Sequence, residues 1–216
     1  MAEAVENEPE PYQIMRLIEN SVMENEDVNL EQYLLFWRHV CKVMNTWGTL
    51  FTFVVNDVCK KLEKLEDMVE KDSRTYRTIV SMATKEHANG TIRNQKPNRS
   101  GMGHLMVLNT ALEFVIEMLH GVFTARDPSA KVASIARAAY TNHLSQNHPW
   151  VLRGLVYGAL SSLPDKTEFL NRLRGEMPER DDVLFHEVFQ RDGKDIVRRV
   201  KRLIIQFKLT DYNPSA

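Results

Sequence analysis

Cysteine is nearly absent from this chain. Only Cys41 and Cys59 occur in 216 residues, too few for a disulfide framework, which fits a reducing compartment. An excess of either charge is lacking too: 28 Lys and Arg stand against 29 Asp and Glu, a net charge of −1. Wrapping nucleic acid takes a basic excess, so nucleic acid is not an expected partner, although a local basic patch for a membrane surface remains open. No apolar run approaches the roughly 18 residues of a membrane-spanning helix. The N-terminus, MAEAVENEPEPYQ, carries neither the apolar stretch of a secretory signal nor the glycine at position 2 that myristoylation requires. These absences set the expectation of a soluble, cytoplasmic protein.

Catalytic signatures are missing as well. The seven histidines contain no HExxH pair. The one ExxH, Glu117 to His120, lacks the second such motif that a carboxylate-bridged di-metal bundle needs. There is no G-x-S-x-G elbow, no Walker A loop and no dinucleotide fingerprint. The expectation is a protein that is not an enzyme and has no metal and no cofactor.

What the chain does contain is helical periodicity, in a composition of 43% hydrophobic and 26% charged residues that suits a globular protein. Ile14, Leu17, Ile18 and Val22 make one stripe, and Leu30, Tyr33, Leu34, Trp37 and Val40 the next. Val54, Val58, Leu62, Leu65 and Met68 continue the pattern, and 76–88 forms a further helix. The run NGTIRNQKPNRSGMG, 89–103, is a loop by its glycines and proline. Helices follow at 105–123, 129–144, 149–163, 166–174, 181–190 and 193–208, and the Thr- and Val-rich patch 49–55 is the one serious strand candidate. Residues 1–10 are expected to be a disordered acidic tail, 11–210 a single all-α domain, and 211–216 a C-terminal tail.

The segment Leu105–Phe123 is apolar nearly all round, with Asn109, Glu113, Glu117 and His120 in a narrow polar stripe. It is either a central core helix or the wall of an apolar chamber. Asp57, Lys61 and Lys64, at i, i+4 and i+7, share a helix face, either as an ordinary ion pair or as a grip on a polar head. His148 stands where a cap or a ligand-binding group would stand, and Pro149 suits a helix's first turn. Trp150 is core or lipid interface, and Gly154 and Gly158 invite close approach of another helix.

Two stretches carry a resemblance. NTWGTLFTFVVNDVCKKLEKL, 45–65, and YTNHLSQNHPWVLRGL, 140–155, resemble the glycolipid transfer protein superfamily, closest to its ceramide-1-phosphate branch. The resemblance implies a two-layer sandwich of about eight helices enclosing an apolar lipid chamber. It also implies non-vesicular transfer of a sphingolipid, ceramide-1-phosphate or a related phosphosphingolipid, between membranes. In these terms Asp57 and His148 grip the ceramide amide, Lys61 contacts the headgroup, Lys64 is a second basic position, and Arg153 completes the second motif. Trp150 faces the membrane, with which association is transient.

One departure stands out. The branch clamps phosphate with arginines near the start of the apolar helix, and here Gly103, Val107 and Thr110 occupy those places; Val107 also cannot replace the sugar-stacking tryptophan of glycolipid carriers. Phosphate recognition then falls to Lys61, Lys64 and Arg153, or to the loop residues Arg93, Lys96 and Arg99. Two other functions stay open: a lipid-gated adaptor that binds a sphingolipid or a protein partner without efficient transfer, and a helical scaffold with a filled core.

Overall fold

The computed structural model describes residues 8–214. Nine α-helices account for most of them: α1 (Glu10–Ser21), α2 (Leu30–Asn45), α3 (Thr52–Lys71), α4 (Ile79–Ala88), α5 (Gly101–Thr124), α6 (Val132–His143), α7 (Trp150–Ser161), α8 (Lys166–Arg174) and α9 (Asp182–Gln206). Several starts are written locally. The Asn29 side chain accepts from the Gln32 N–H at α2, Thr78 and Ser81 form a reciprocal capping box at α4, and Asp165 caps α8. Each satisfies backbone donors that a helix end leaves unpaired.

The helices stack as a two-layer all-α sandwich, with α5 in the middle against α3, α4, α6 and α9. Its Leu105, Leu108, Leu112, Met118 and Val122 are buried. Its polar stripe meets polar partners from neighbouring helices. Glu113 accepts from Lys201 of α9 at 2.6 Å, Glu117 from Asn142 of α6 at 2.6 Å, and His120 meets His186 of α9 at 3.2 Å. Glu117 and His120 therefore serve separate pairs, and no metal-holding cluster occurs among the described residues.

The structure corrects several expectations. The strand candidate at 49–55 is a 3-10 turn, Thr49–Phe51, running into α3, because Phe51, Val55 and Val58 are buried at helical spacing. The expected helices 181–190 and 193–208 are one helix, α9, uninterrupted at Gly193. A Cβ there would lie 3.0 Å from Ile116 Cδ1, so this glycine serves close packing on α5 and breaks nothing. Helix α5 starts at Gly101, inside the expected loop, since Ser100 Oγ accepts from the Gly103 N–H at 2.9 Å. With that added turn α5 is long and apolar enough to cross a membrane by length and composition. Its packing within the sandwich makes it a core helix. Gly154 and Gly158 admit no close helix, since a Cβ at either meets nothing within 4 Å.

Part of each expected tail is packed on the domain. Glu8 pairs with Arg16 at 2.6 Å, and Glu10 lies 2.6 Å from His39 Nδ1. Tyr212 is buried and donates to the Asn94 carbonyl at 2.8 Å. Residues 1–7 and 215–216 lie outside the described region.

Candidate functional site

Helix α3 brings Asp57 and Lys61 together one turn apart. Lys61 Nζ donates to Asp57 Oδ2 at 2.6 Å and to the Asp57 carbonyl at 3.0 Å. The pair is lopsided: the Asp57 side chain is 66% exposed and the Lys61 side chain 11%. Burial lowers the Lys61 pKa, against the opposing pull of Asp57, and the charges of Arg99 and Lys96 push it the same way as burial. Lys64 is exposed a turn further on.

His148 follows the 3-10 turn Ser145–Asn147 in extended backbone, immediately before Pro149 and α7. Its Nδ1 lies 2.8 Å from the hydroxyl of Tyr140, a buried residue of α6. Burial lifts the Tyr140 phenol to about 12, so it keeps its proton. A protonated phenol can donate to Nδ1, and a neutral imidazole paired in that way carries its own proton on Nε2. Burial also holds His148 below the usual histidine range despite the Asp57 charge, which favours the neutral ring.

Asp57 and His148 both line one cavity of about 240 Å³. Its other walls are almost wholly apolar: Trp37, Trp47 and Phe51 on one side, Phe114 and Met118 of α5 on another, Leu152 and Leu160 of α7 on a third. A wider groove of about 590 Å³ shares His148 and Leu144 with it. Val107, Asn109, Thr110, Glu113 and Lys201 line that groove, and Thr210–Pro214 close one side. Where arginines are expected, Val107 and Thr110 leave open space. Gly103 is buried under Tyr212 and Arg99.

Outside the cavity α7 shows an apolar face. Trp150 is 79% exposed, Val151 54% and Leu155 56%, and the turn carrying exposed Leu50 packs beside them. Arg153 is exposed on the same helix, close enough to His148 to weigh against its protonation.

The three loop cations part company. Arg93 is drawn away to the C-terminus, where it binds the Asp211 carboxylate at 2.7 Å and the Lys208 carbonyl. Lys96 is exposed. Arg99 is buried, and His104 on α5 sits in its field and that of Lys61 and Lys64; burial and these charges depress His104 to about 4. Tyr140 and His104 escaped the sequence reading. Tyr140 opens the second motif, yet the turn between it and His148 hides their contact from any spacing rule.

The sequence profile of the glycolipid transfer protein family matches residues 28–175. The chain belongs to this family. The human ceramide-1-phosphate transfer protein is 29% identical over 161 residues, covering 73% of this chain and 75% of that one. The crystal structure of the apo mouse ceramide-1-phosphate transfer protein superposes with a TM-score of 0.86 at 22% identity, over 94% of this chain and 98% of that chain. The human protein in complex with 12:0 ceramide-1-phosphate superposes with a TM-score of 0.81 at 24% identity, over 92% and 97%. At these identities the superpositions speak for the fold. The family transfers lipids and is not enzymatic.

Proposed function

We propose that this protein moves one sphingolipid at a time between membranes, without vesicles, and that the lipid is phosphate-bearing. The observation that carries the reading is a carboxylate and a neutral imidazole at the wall of one apolar cavity. A ceramide has two hydrocarbon chains and one secondary amide, and an amide taken out of water must have both donor and acceptor paired. Asp57 accepts from the amide N–H, and His148 Nε2–H donates to the amide carbonyl. Lys61 lies one turn from Asp57, on the headgroup side, and the human relative is named for and binds ceramide-1-phosphate.

The mechanism is extraction. Trp150, Val151, Leu155 and Leu50 dip into the bilayer interface, where an indole and aliphatic side chains are at home. The chains then slide past them into the cavity. At about 240 Å³ it is smaller than the roughly 300–1,000 Å³ of ordinary small-molecule pockets, so loading requires the cavity to widen. Such a carrier works in the cytoplasm with transient membrane contact.

Transfer between donor and acceptor vesicles tests this. Asp57→Val and His148→Leu should each abolish transfer of every ceramide-based lipid, since an unpaired amide costs about 1–3 kcal/mol, while circular dichroism stays native. Normal transfer by both variants removes the reading. The adaptor alternative draws on the open groove at Val107 and Thr110; lipid binding with negligible intervesicle turnover by the unaltered protein would select it.

A further inference from the structure

We propose that Arg99 supplies, with Lys61, the phosphate-binding site of this protein, and that Gly103 is the residue that admits it. This rests on the phosphosphingolipid reading above, and adds which residues read the phosphate and how.

Arg99 carries an unpaired charge. Arg99 is 7% exposed, and it makes no hydrogen bond or ion pair with any described residue; its Nε is buried without a partner. Buried guanidinium groups are costly unless paired. Arg199, at 5% exposure, shows how this chain treats such a group when its role is structural. Its Nε donates to Asp195 at 2.9 Å and its Nη1 to the carbonyls of Met23, at 2.6 Å, and Asp27.

No carboxylate nearby is available to Arg99. Asp57 is taken by Lys61. Glu86 accepts from the backbone N–H groups of Gly101 at 2.6 Å and Met102 at 3.0 Å. Lys61 and His104 both feel the Arg99 charge, and the Nδ1 of His104 is buried and unpartnered like the Arg99 Nε. At the start of α5 the Arg99 stem packs over Gly103, the unpartnered His104 imidazole follows one residue on, and Lys61 stands on α3, which packs against α5, so basic groups outnumber free carboxylates there. A phosphate group fits that deficit, and the planar fork of arginine suits its oxygens.

Gly103 explains the seat. A Cβ there would lie 2.8 Å from Arg99 Cγ, 2.6 Å from the Tyr212 hydroxyl and 3.1 Å from Ser100 Oγ. A side chain at 103 and the stem of Arg99 in its present position exclude each other. The family resemblance puts an arginine at 103; here the guanidinium enters from the preceding loop instead. That loop is held for the purpose, by Ser100 Oγ on the Ile92 carbonyl at 2.7 Å and Tyr212 on that of Asn94.

The phosphate could belong to a lipid headgroup or be free, and the experiment separates the two. Transfer from phosphatidylcholine vesicles containing ceramide-1-phosphate or glucosylceramide is measured for the unaltered protein, Arg99→Met and Gly103→Ala. Inorganic phosphate is titrated against the amide NMR signals of Gly103 and His104 in the unaltered protein and in Arg99→Met. Both variants should lose about tenfold or more in ceramide-1-phosphate transfer, with glucosylceramide transfer unchanged and Arg99→Met melting no lower than the unaltered protein. Equal ceramide-1-phosphate transfer by Arg99→Met overturns the Arg99 site and leaves the carrier reading standing. A melting temperature for Arg99→Met lower by about 5 °C or more assigns Arg99 a structural role and overturns the proposal. No ceramide-1-phosphate transfer by the unaltered protein defeats the phosphosphingolipid reading itself. In that event, phosphate shifts that vanish in Arg99→Met keep the anion site and make its ligand free phosphate, and no shifts overturn it.

Discussion

Arg199 and Arg99 are about equally hidden from water, at 5% and 7% exposure, yet their surroundings are opposite. The first knits α9 to the turn between α1 and α2 through a carboxylate and two carbonyls. The second sits beside two other nitrogen bases with no acceptor of its own. The same side chain is structural in one corner and unspent in the other. Burial alone therefore says nothing about role; the accounting of partners does.

The largest effect expected from breaking this contrast is at the paired arginine. Arg199→Met takes the guanidinium from the Met23 and Asp27 carbonyls while Asp195 keeps Arg198, and stripping a donor from buried acceptors costs about 1–3 kcal/mol. Denaturant unfolding should record that loss, with the ratio of ceramide-1-phosphate to glucosylceramide transfer unchanged. A shifted ratio would mean the two corners are not separable.

A smaller effect belongs to the one satisfied pair that lies inside the site. Tyr140→Phe removes the hydroxyl 2.8 Å from His148 Nδ1 and with it the preference for a proton on Nε2. One hydrogen bond is worth about 0.5–1.5 kcal/mol, so transfer of all ceramide lipids should fall about two- to tenfold. If headgroup preference changes instead, Tyr140 acts on the phosphate side and not on the amide.

The smallest effect is a pH dependence that separates the corners by window. His104 is held at about 4 against an ordinary 6.5, so between those values the unfolded chain binds more protons and stability falls as pH falls. Arg198 and Arg199 hold Asp195 below its ordinary 3.8 against the opposing effect of burial. Its contribution is intact above that value and is lost only as pH drops further. His148 and His186 are depressed too, so the readout is a difference: His104→Gln should flatten the pH 6.5 to 4 slope of the melting temperature and leave the acid limb below it unaltered. An unchanged upper slope would show that His104 is not the group held neutral.

Legibility followed the range of the interaction. Asp57 and Lys61 were readable because i and i+4 meet on any helix, and the ion pair, one of the two readings of that spacing, forms. His148-Pro149-Trp150 was readable because proline marks a helix start. The continuity of α9 across 191–192 was not legible locally, and the close packing that Gly193 permits is on Ile116 of α5, 77 residues away in sequence. Arg93, Lys96 and Arg99 were indistinguishable as three basic residues in one loop, and their fates depend on Asp211, on open water and on Gly103.

By itself, then, the sequence determined most of the helices, the buried stripes of α1, α2 and α3 and the two motifs, because those rest on periodicity and on neighbours within a turn. Tertiary structure alone decided that α3, α5 and α7 enclose one cavity with Asp57 and His148 both on it. It also decided which loop cation is buried. Both depend on contacts between residues far apart along the chain, where spacing carries no information and only packing volume and the pairing of charges choose the arrangement.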